Sequence, residues 1–164
     1  MMKLEEVYNQ IQPNIYAFFY AKTNNKEISE DLTQEVFYEA IKSFATFSGN
    51  ATMKTWLFSI AKNMLRKFYR SKKYKEMLES KIQQERKDSE SVEENVVKKE
   101  EGELLRSLIT NLEEHSKEVV ILRAYGELSF QEIGVLLNKS ENYARVTFHR
   151  AKLKLHKELK KYEG

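Results

Sequence analysis

Eight cations and no anion fall between Lys54 and Lys75: Lys54, Lys62, Arg66, Lys67, Arg70, Lys72, Lys73 and Lys75. Such a run repels itself unless a polyanion or an acidic partner offsets it. A solvated helix face, the usual reason for a charge run, interleaves signs to gain i,i+4 pairs, and this stretch does not. A second block, Lys139 to Lys161, sets eight cations against Glu141 and Glu158. Two separated basic surfaces fit two contacts on one long ligand, and a phosphate backbone is such a ligand. Residues for bond chemistry are missing. There is no cysteine, which removes disulfides, thiolate metal sites and thiol nucleophiles together. His115, His149 and His156 form no HExxH-type pair, and the chain has neither a nucleophile elbow nor a glycine-rich phosphate loop. His149 and His156 share a helix face but stand about two turns apart, too far to chelate one ion. Neither an enzyme nor a metal, cofactor or small-molecule substrate is expected.

These residues have to be positioned by helices. Of 164 residues, 41% are hydrophobic and 32% charged, with one proline and five glycines; so few breakers predict an all-α chain. No apolar run approaches the ~20 residues that a helix needs to cross a bilayer. The start, Met1-Met2-Lys3-Leu4-Glu5-Glu6, lacks the apolar core of a secretory signal. The expected location is therefore cytoplasmic, without membrane insertion. The net charge of +3 is unevenly placed: residues 1–53 carry 4 basic and 7 acidic groups, 54–75 carry 8 and 0, 76–103 carry 5 and 10, and 104–164 carry 11 and 8.

Three apolar stripes at helical spacing fill the first part: Val7, Ile11, Ile15, Phe18 and Phe19; then Leu32, Val36, Phe37, Ala40, Ile41 and Phe44; then Trp56, Leu57, Ile60, Met64, Leu65 and Phe68. Asn24-Asn25 and Ser48-Gly49-Asn50 separate them. Residues 76–103 are acidic, with no aromatic residue and almost no sustained periodicity, and read as a flexible linker with at most a frayed helix. Two small helical domains are therefore expected, 1–75 and 104–164. In the second, Leu104, Leu105, Leu108 and Leu112, then Val119, Val120, Leu122 and Tyr125, predict a helix or a pair kinked near Asn111 and stopped at Gly126. Ser129-Phe130-Gln131-Glu132 is a capping box opening a short helix to Leu137. Asn138-Lys139 makes a corner, and Ser140 caps the last helix. Helix, tight turn and helix read as a helix-turn-helix. At about 100° per residue, Ala144, Phe148, Ala151 and Leu155 share one narrow stripe facing the core. Asn142, Arg145, Val146, His149 and His156 fall opposite, with Arg150 and Lys152 flanking and Leu153 nearby. That face offers guanidinium groups for guanine edges or phosphates, and Val146 for a thymine methyl.

Several segments resemble one family. Asp31-Leu-Thr-Gln34-Glu35-Val-Phe37, Phe44-Ala-Thr-Phe47-Ser-Gly49 and Thr55-Trp56-Leu-Phe-Ser-Ile60-Ala61-Lys62-Asn63 resemble region 2 of extracytoplasmic-function (ECF) sigma factors of bacterial RNA polymerase. Tyr8 to Phe18, with Pro13 and Tyr16, fits the family's first helix. Leu128-Ser129-Phe-Gln-Glu132-Ile133-Gly134 through Leu137, and Ser140 to His149-Arg150-Ala151, resemble its promoter-reading region 4. The likeness covers nearly everything except the linker.

The resemblance implies roles. Asp31, Gln34, Glu35 and Glu39, on the polar face of the second helix, correspond to the family's contact with core polymerase. The loop Ser48–Lys54, which in the family holds a base flipped from the minus-ten element, brings in Ser48, Gly49, Asn50 and Lys54. Phe47, Trp56 and Asn63 match positions that frame the pocket and separate the strands. Lys62, Arg66 and Arg70 belong to the run expected to hold phosphates of the opened strand. Ser140, Asn142, Arg145, Val146, His149 and Arg150 are the expected upstream-element contacts. The implied partners are core RNA polymerase, promoter DNA and an anti-sigma factor. Departures are also present: Lys67 stands where most relatives have Asp, Gly134 where alanine is usual, Leu112-Glu113-Glu114 where a proline often opens the segment, and Asn142-Tyr143 where Gly-Thr or Gly-Lys opens the reading helix. The promoter sequence therefore does not transfer. The competing readings are a stand-alone helix-turn-helix regulator whose N-terminal half dimerises or senses a ligand, and an all-helical adaptor with no nucleic acid.

Overall fold

The computed structural model describes residues 4–71, 75–76, 78–79 and 96–163. Lys72, Lys73 and most of the expected linker lie outside the described residues. Among the described residues there are helices and no strands. In chain order these are α1 (Leu4–Thr23), α2 (Lys26–Ser43), a 3-10 turn (Phe44–Thr46), α3 (Met53–Arg70), α4 (Val96–Thr110), α5 (Glu114–Ala124), α6 (Phe130–Leu137) and α7 (Glu141–Glu163). Helix α4 begins inside the segment read as linker, and the predicted kink near Asn111 is a full break between α4 and α5.

Local chemistry sets the boundaries. Asn24 turns left-handed at φ 52, and the Asn25 side chain accepts from the Ile28 amide at 2.9 Å to start α2. Thr52 caps α3 by accepting from the Thr55 amide at 3.1 Å. The Ser129 box is reciprocal: the Glu132 amide donates to Ser129 Oγ at 3.0 Å and the Ser129 amide to Glu132 Oε1 at 2.9 Å. Ser140 Oγ accepts from the Tyr143 amide at 2.9 Å at the head of α7. Each bond satisfies an amide that the helix itself leaves without a partner.

Helices α1, α2 and α3 bury Ile15, Phe18, Phe19, Val36, Leu57 and Phe58 together, with Phe18 and Phe58 meeting edge to face at 5.6 Å. In the C-terminal half, Val119, Leu122, Leu128, Ile133 and Ala144 form the corresponding centre. The two centres are continuous, because α3 packs against α6 and α1 against α5. Gly126 makes this close approach possible: a Cβ there would stand 2.7 Å from the Leu122 carbonyl and 3.1 Å from the Phe58 ring. The α7 stripe is as its angles predict, with Ala144 and Ala151 buried and Phe148 and Leu155 packed against the core.

One assignment needs correction. Ile41 and Phe44, read as part of the inward stripe of α2, are exposed, Ile41 by 63%. Nine residues at about 100° place Ile41 on the side opposite Leu32, so it cannot share that residue's burial.

Gly134 faces the α6–α7 corner so closely that a Cβ would lie 2.8 Å from the Lys139 carbonyl and 3.0 Å from Ser140. These are backbone atoms that move only if the corner opens. Gly134→Ala is expected to destabilise the chain by about 1–3 kcal/mol, seen as a lowered midpoint in urea or thermal unfolding. An unchanged midpoint would mean that the corner yields freely.

Candidate nucleic-acid interface

Helix α3 is three-sided. Leu57, Ala61 and Leu65 face the N-terminal core. Trp56, Ser59, Asn63, Arg66 and Arg70, spaced three and four apart, share a second stripe. At its start, Trp56 is half-buried against Phe47, with ring centroids 5.1 Å apart, and Phe44 at 6.4 Å. Phe47, Ser48, Asn50, Trp56 and Ser59 line one open cleft of about 240 Å³. Along the same stripe Asn63, Arg66 and Arg70 are exposed. An aromatic-lined recess continuing into a line of amide and guanidinium groups can stack a base and hold the phosphates that follow it. Gly49, at φ 78, gives the loop beside the recess a turn that L side chains rarely adopt.

The third side divides the expected DNA-binding set. Lys54, Phe58 and Lys62, each four residues apart, face the C-terminal half. Lys54 Nζ donates to the Glu127 carbonyl at 2.7 Å, and Lys62 pairs with Glu118 at 2.9 Å, both side chains partly shielded. Beside them the Thr52 hydroxyl donates to Glu132 Oε2 at 2.8 Å. A neighbouring cleft of about 350 Å³ lies between Gly49, Asn50 and Thr52 on one wall and Gln131, Glu132 and Val135 on the other. The structure thus places Trp56, Asn63, Arg66 and Arg70 together on an open face, and Lys54 and Lys62 in the seam.

The seam residues Thr52, Glu118, Glu127 and Glu132 have no signal in the sequence, since each partnership spans more than fifty positions. Burial raises the Glu132 carboxyl. Hydrogen bonds from the Ser129 amide, the Thr52 hydroxyl and the Ser129 hydroxyl, with the nearby Lys54 charge, outweigh it and hold the group below its ordinary range. Burial pushes the Lys22 ammonium, also at the seam, below its ordinary range, opposed by Glu118 and Glu114.

On α7, Ser140, Asn142, Arg145, His149 and Arg150 are exposed and Val146 is half-buried. Arg145 is braced by Glu141 at 2.9 Å, with its guanidinium 5.5 Å from the Phe130 ring centroid. Leu153, on the same side, is 61% exposed. On α2, Asp31, Gln34 and Glu35 are exposed, while Glu39 is half-buried and accepts from the Ser43 hydroxyl at 3.2 Å. Tyr38 and Ile41, both more than 60% exposed, lie beside those carboxylates. Apolar character hides them as surface residues in the sequence, although the angle alone places them there.

Among the described residues, a helical bundle with a three-sided basic helix packs against a capped helix-turn-helix. Residues 7–74 match the sigma-70 region 2 family and residues 102–155 the sigma-70 region 4 family. The chain belongs to the sigma-70 family and is of the ECF type, directing RNA polymerase to promoters; the family is non-enzymatic. It is 31% identical over 160 residues to the RNA polymerase sigma factor YlaC of Bacillus subtilis, covering 96% of this chain and 92% of that one. To the ECF sigma factor SigW of the same organism it is 29% identical over 155 residues, 89% of this chain and 83% of that one. Two solved structures share the fold. CnrH in complex with the cytosolic domain of CnrY has TM-score 0.62 and 19% identity, over 96% of this chain and 87% of that one. RpoE of Bartonella quintana, in complex with the anti-sigma factor NepR, has TM-score 0.63 and 17% identity, over 95% and 96%. Among the described residues no helix is long and apolar enough to cross a membrane.

Because the folded Glu132 carboxyl titrates below its unfolded value, its contribution is complete above the ordinary carboxylate range and disappears as pH falls through the lowered folded value. Thermal midpoints of wild type and Glu132→Gln should therefore differ most near neutrality and converge on acidification. Ser129→Ala, which removes the other arm of the box, is expected to cost about 1 kcal/mol. Parallel melting curves at every pH would show that Glu132 contributes nothing in its charged form.

Proposed function

We propose that residues 1–75 form the unit that binds core polymerase and opens the downstream promoter element, residues 76–103 the connection, and residues 104–164 the unit that reads the upstream element. The observation that carries this is the continuous stripe on α3, from the recess of Phe47 and Trp56 through Asn63 to Arg66 and Arg70. A base leaving the duplex loses stacking and pairing worth a few kcal/mol. The recess, with Ser48, Gly49 and Asn50 beside it, offers stacking and polar edges to offset that loss. Asn63 stands where the separated strand leaves the recess. Arg66 and Arg70 take its phosphates without reading sequence; Lys54 and Lys62 join them on the neighbouring side of the helix.

Upstream, Arg145, Val146, His149 and Arg150 face a major groove, and Ser140 and Asn142 at the helix head approach the backbone. Asp31, Gln34, Glu35 and Glu39 meet core polymerase, with Tyr38 and Ile41 adding apolar area beside the carboxylates, an arrangement suited to a partner that presents both. The setting is the cytoplasm, where that polymerase works. RpoE of Bartonella quintana was solved with the anti-sigma factor NepR, and we extend that class of partner to this chain. Matches over both sigma regions favour this reading over a stand-alone regulator or a DNA-free adaptor.

The test is run-off transcription with purified core polymerase. Asn63→Ala should impair opening more than closed-complex binding, and Arg150→Ala should weaken promoter engagement by roughly 5- to 100-fold. In the opened complex, Arg66→Ala should reduce the salt slope of binding by about 1. If Asn63→Ala and Arg150→Ala both transcribe like wild type, these residue assignments are wrong.

A further inference from the structure

Where the end of α1 meets α4 and α5, three cations converge on one small recess. Lys22, Arg106 and Lys117 line a cavity of about 90 Å³, with the buried Ile109 and Ile121 among its other walls and no carboxylate in its lining. Arg106 is fixed in place: its guanidinium donates to Asn24 Oδ1 at 2.8 Å and lies 4.6 Å from the Tyr20 ring centroid. That bond uses one of its five N–H donors. Its Nε is buried and has no hydrogen-bond partner among the described residues, an uncommon condition because a shielded donor without an acceptor is costly. Lys22 is in no ion pair among the described residues. Burial works against its charge, Glu118 and Glu114 favour it, and Lys117 and Lys62 repel it. Neither acid is free to settle on Lys22 alone: Glu118 pairs with Lys62 at 2.9 Å and Glu114 with Lys117 at 3.1 Å. Glu114 is also 87% exposed where Lys117 is 19% exposed, so water competes for that carboxylate.

We propose that the recess of Lys22, Arg106 and Lys117 binds a phosphate group, as the free ion or as the head of a small phosphomonoester. Near neutrality such a group carries about −1.5 to −2 charges and three strong acceptor oxygens, enough to serve three cations that approach from three helices. The Arg106 guanidinium supplies a planar fork suited to a phosphate edge, and the two ammonium groups supply point charges. A carboxylate offers one charge and two oxygens, which leaves a cation unserved. A nucleic-acid backbone diester carries one charge and continues on both sides, which suits an open track such as Arg66 and Arg70 and not a recess walled by three helices. The volume admits the head group, and the remainder of a monoester lies outside in solvent. Binding offsets the repulsion between Lys22 and Lys117 and gives Arg106 Nε an acceptor. None of the three residues is assigned to DNA or to core polymerase, so the site stands independently of those assignments.

The test uses the full-length chain, isotope-labelled for amide NMR, in a buffer free of phosphate and sulfate at neutral pH and fixed ionic strength. Inorganic phosphate and methyl phosphate are titrated in separate arms, with acetate as the comparison anion. The amide signals of Lys22, Thr110 and Lys117 should move together and saturate with one dissociation constant, whereas those around the exposed cations of α3 and α7 should drift without saturating. Lys22→Gln and Lys117→Gln should each weaken that constant by about tenfold or more, the loss of one charge-assisted hydrogen bond. Arg106→Lys, which keeps the charge and loses the fork, should fall between wild type and Arg106→Gln. A dispersed amide spectrum shows that a variant is folded, and if Arg106→Gln is not, the two lysine variants decide. Saturation by either phosphate source upholds the site and names the form it takes. Acetate binding as tightly as phosphate overturns the choice of ligand. Failure of these amides to saturate with both phosphate sources, or an unchanged constant in both Lys22→Gln and Lys117→Gln, overturns the site itself.

Discussion

Burial of Leu57, Phe58, Ala61 and Leu65 is the constraint on which the molecule turns. Helix α3 carries cations and no anion from Lys54 to Arg70, and by itself such a helix has little reason to form: about five turns with no internal ion pair gain almost nothing from side-chain pairing. Apolar area covered by α1 and α2 supplies the stability that the charges withhold. Once the helix is held, its remaining circumference is divided by geometry into an open stripe and a seam stripe, and the cations are displayed rather than dispersed.

Phe58 links the two halves because it is fully buried by contributions from both. It meets Phe18 on one side and the Gly126 corner on the other. The corner is shaped by a glycine whose missing Cβ matters for space rather than for dihedral freedom, since the left-handed residue is the adjacent Glu127 at φ 56. That twist presents the Glu127 carbonyl to Lys54. A packing decision in the apolar centre is thus coupled to the pairing of a surface cation two positions from the recess of Trp56.

The polar contacts of the seam are weaker than the apolar contact beneath them. Lys62 and Glu118 are partly exposed, and pairs of this kind contribute little individually because water and salt compete for both charges. Their significance lies in position: they engage Lys54, Lys62 and Thr52, the polar groups along the inner side of α3 and its N-cap.

Helix spacing, caps and the charge blocks are legible in the residues alone because they depend on neighbours within about four positions. The Ser129–Glu132 box, the Asn24-Asn25 break, the inward line Ala144–Phe148–Ala151–Leu155 and the outward Arg145 and His149 all follow from local hydrogen bonding and a 100° step. Ile41 reads as inward because it continues an apolar run, although its angle places it outside. Only the tertiary structure decided that Lys54 and Lys62 face Glu127 and Glu118 instead of solvent, and that Thr52 shares its hydroxyl with Glu132. Those partners are far apart in the chain. Their meeting is set by how two buried centres pack around Phe58, a long-range choice that no periodicity or capping motif encodes.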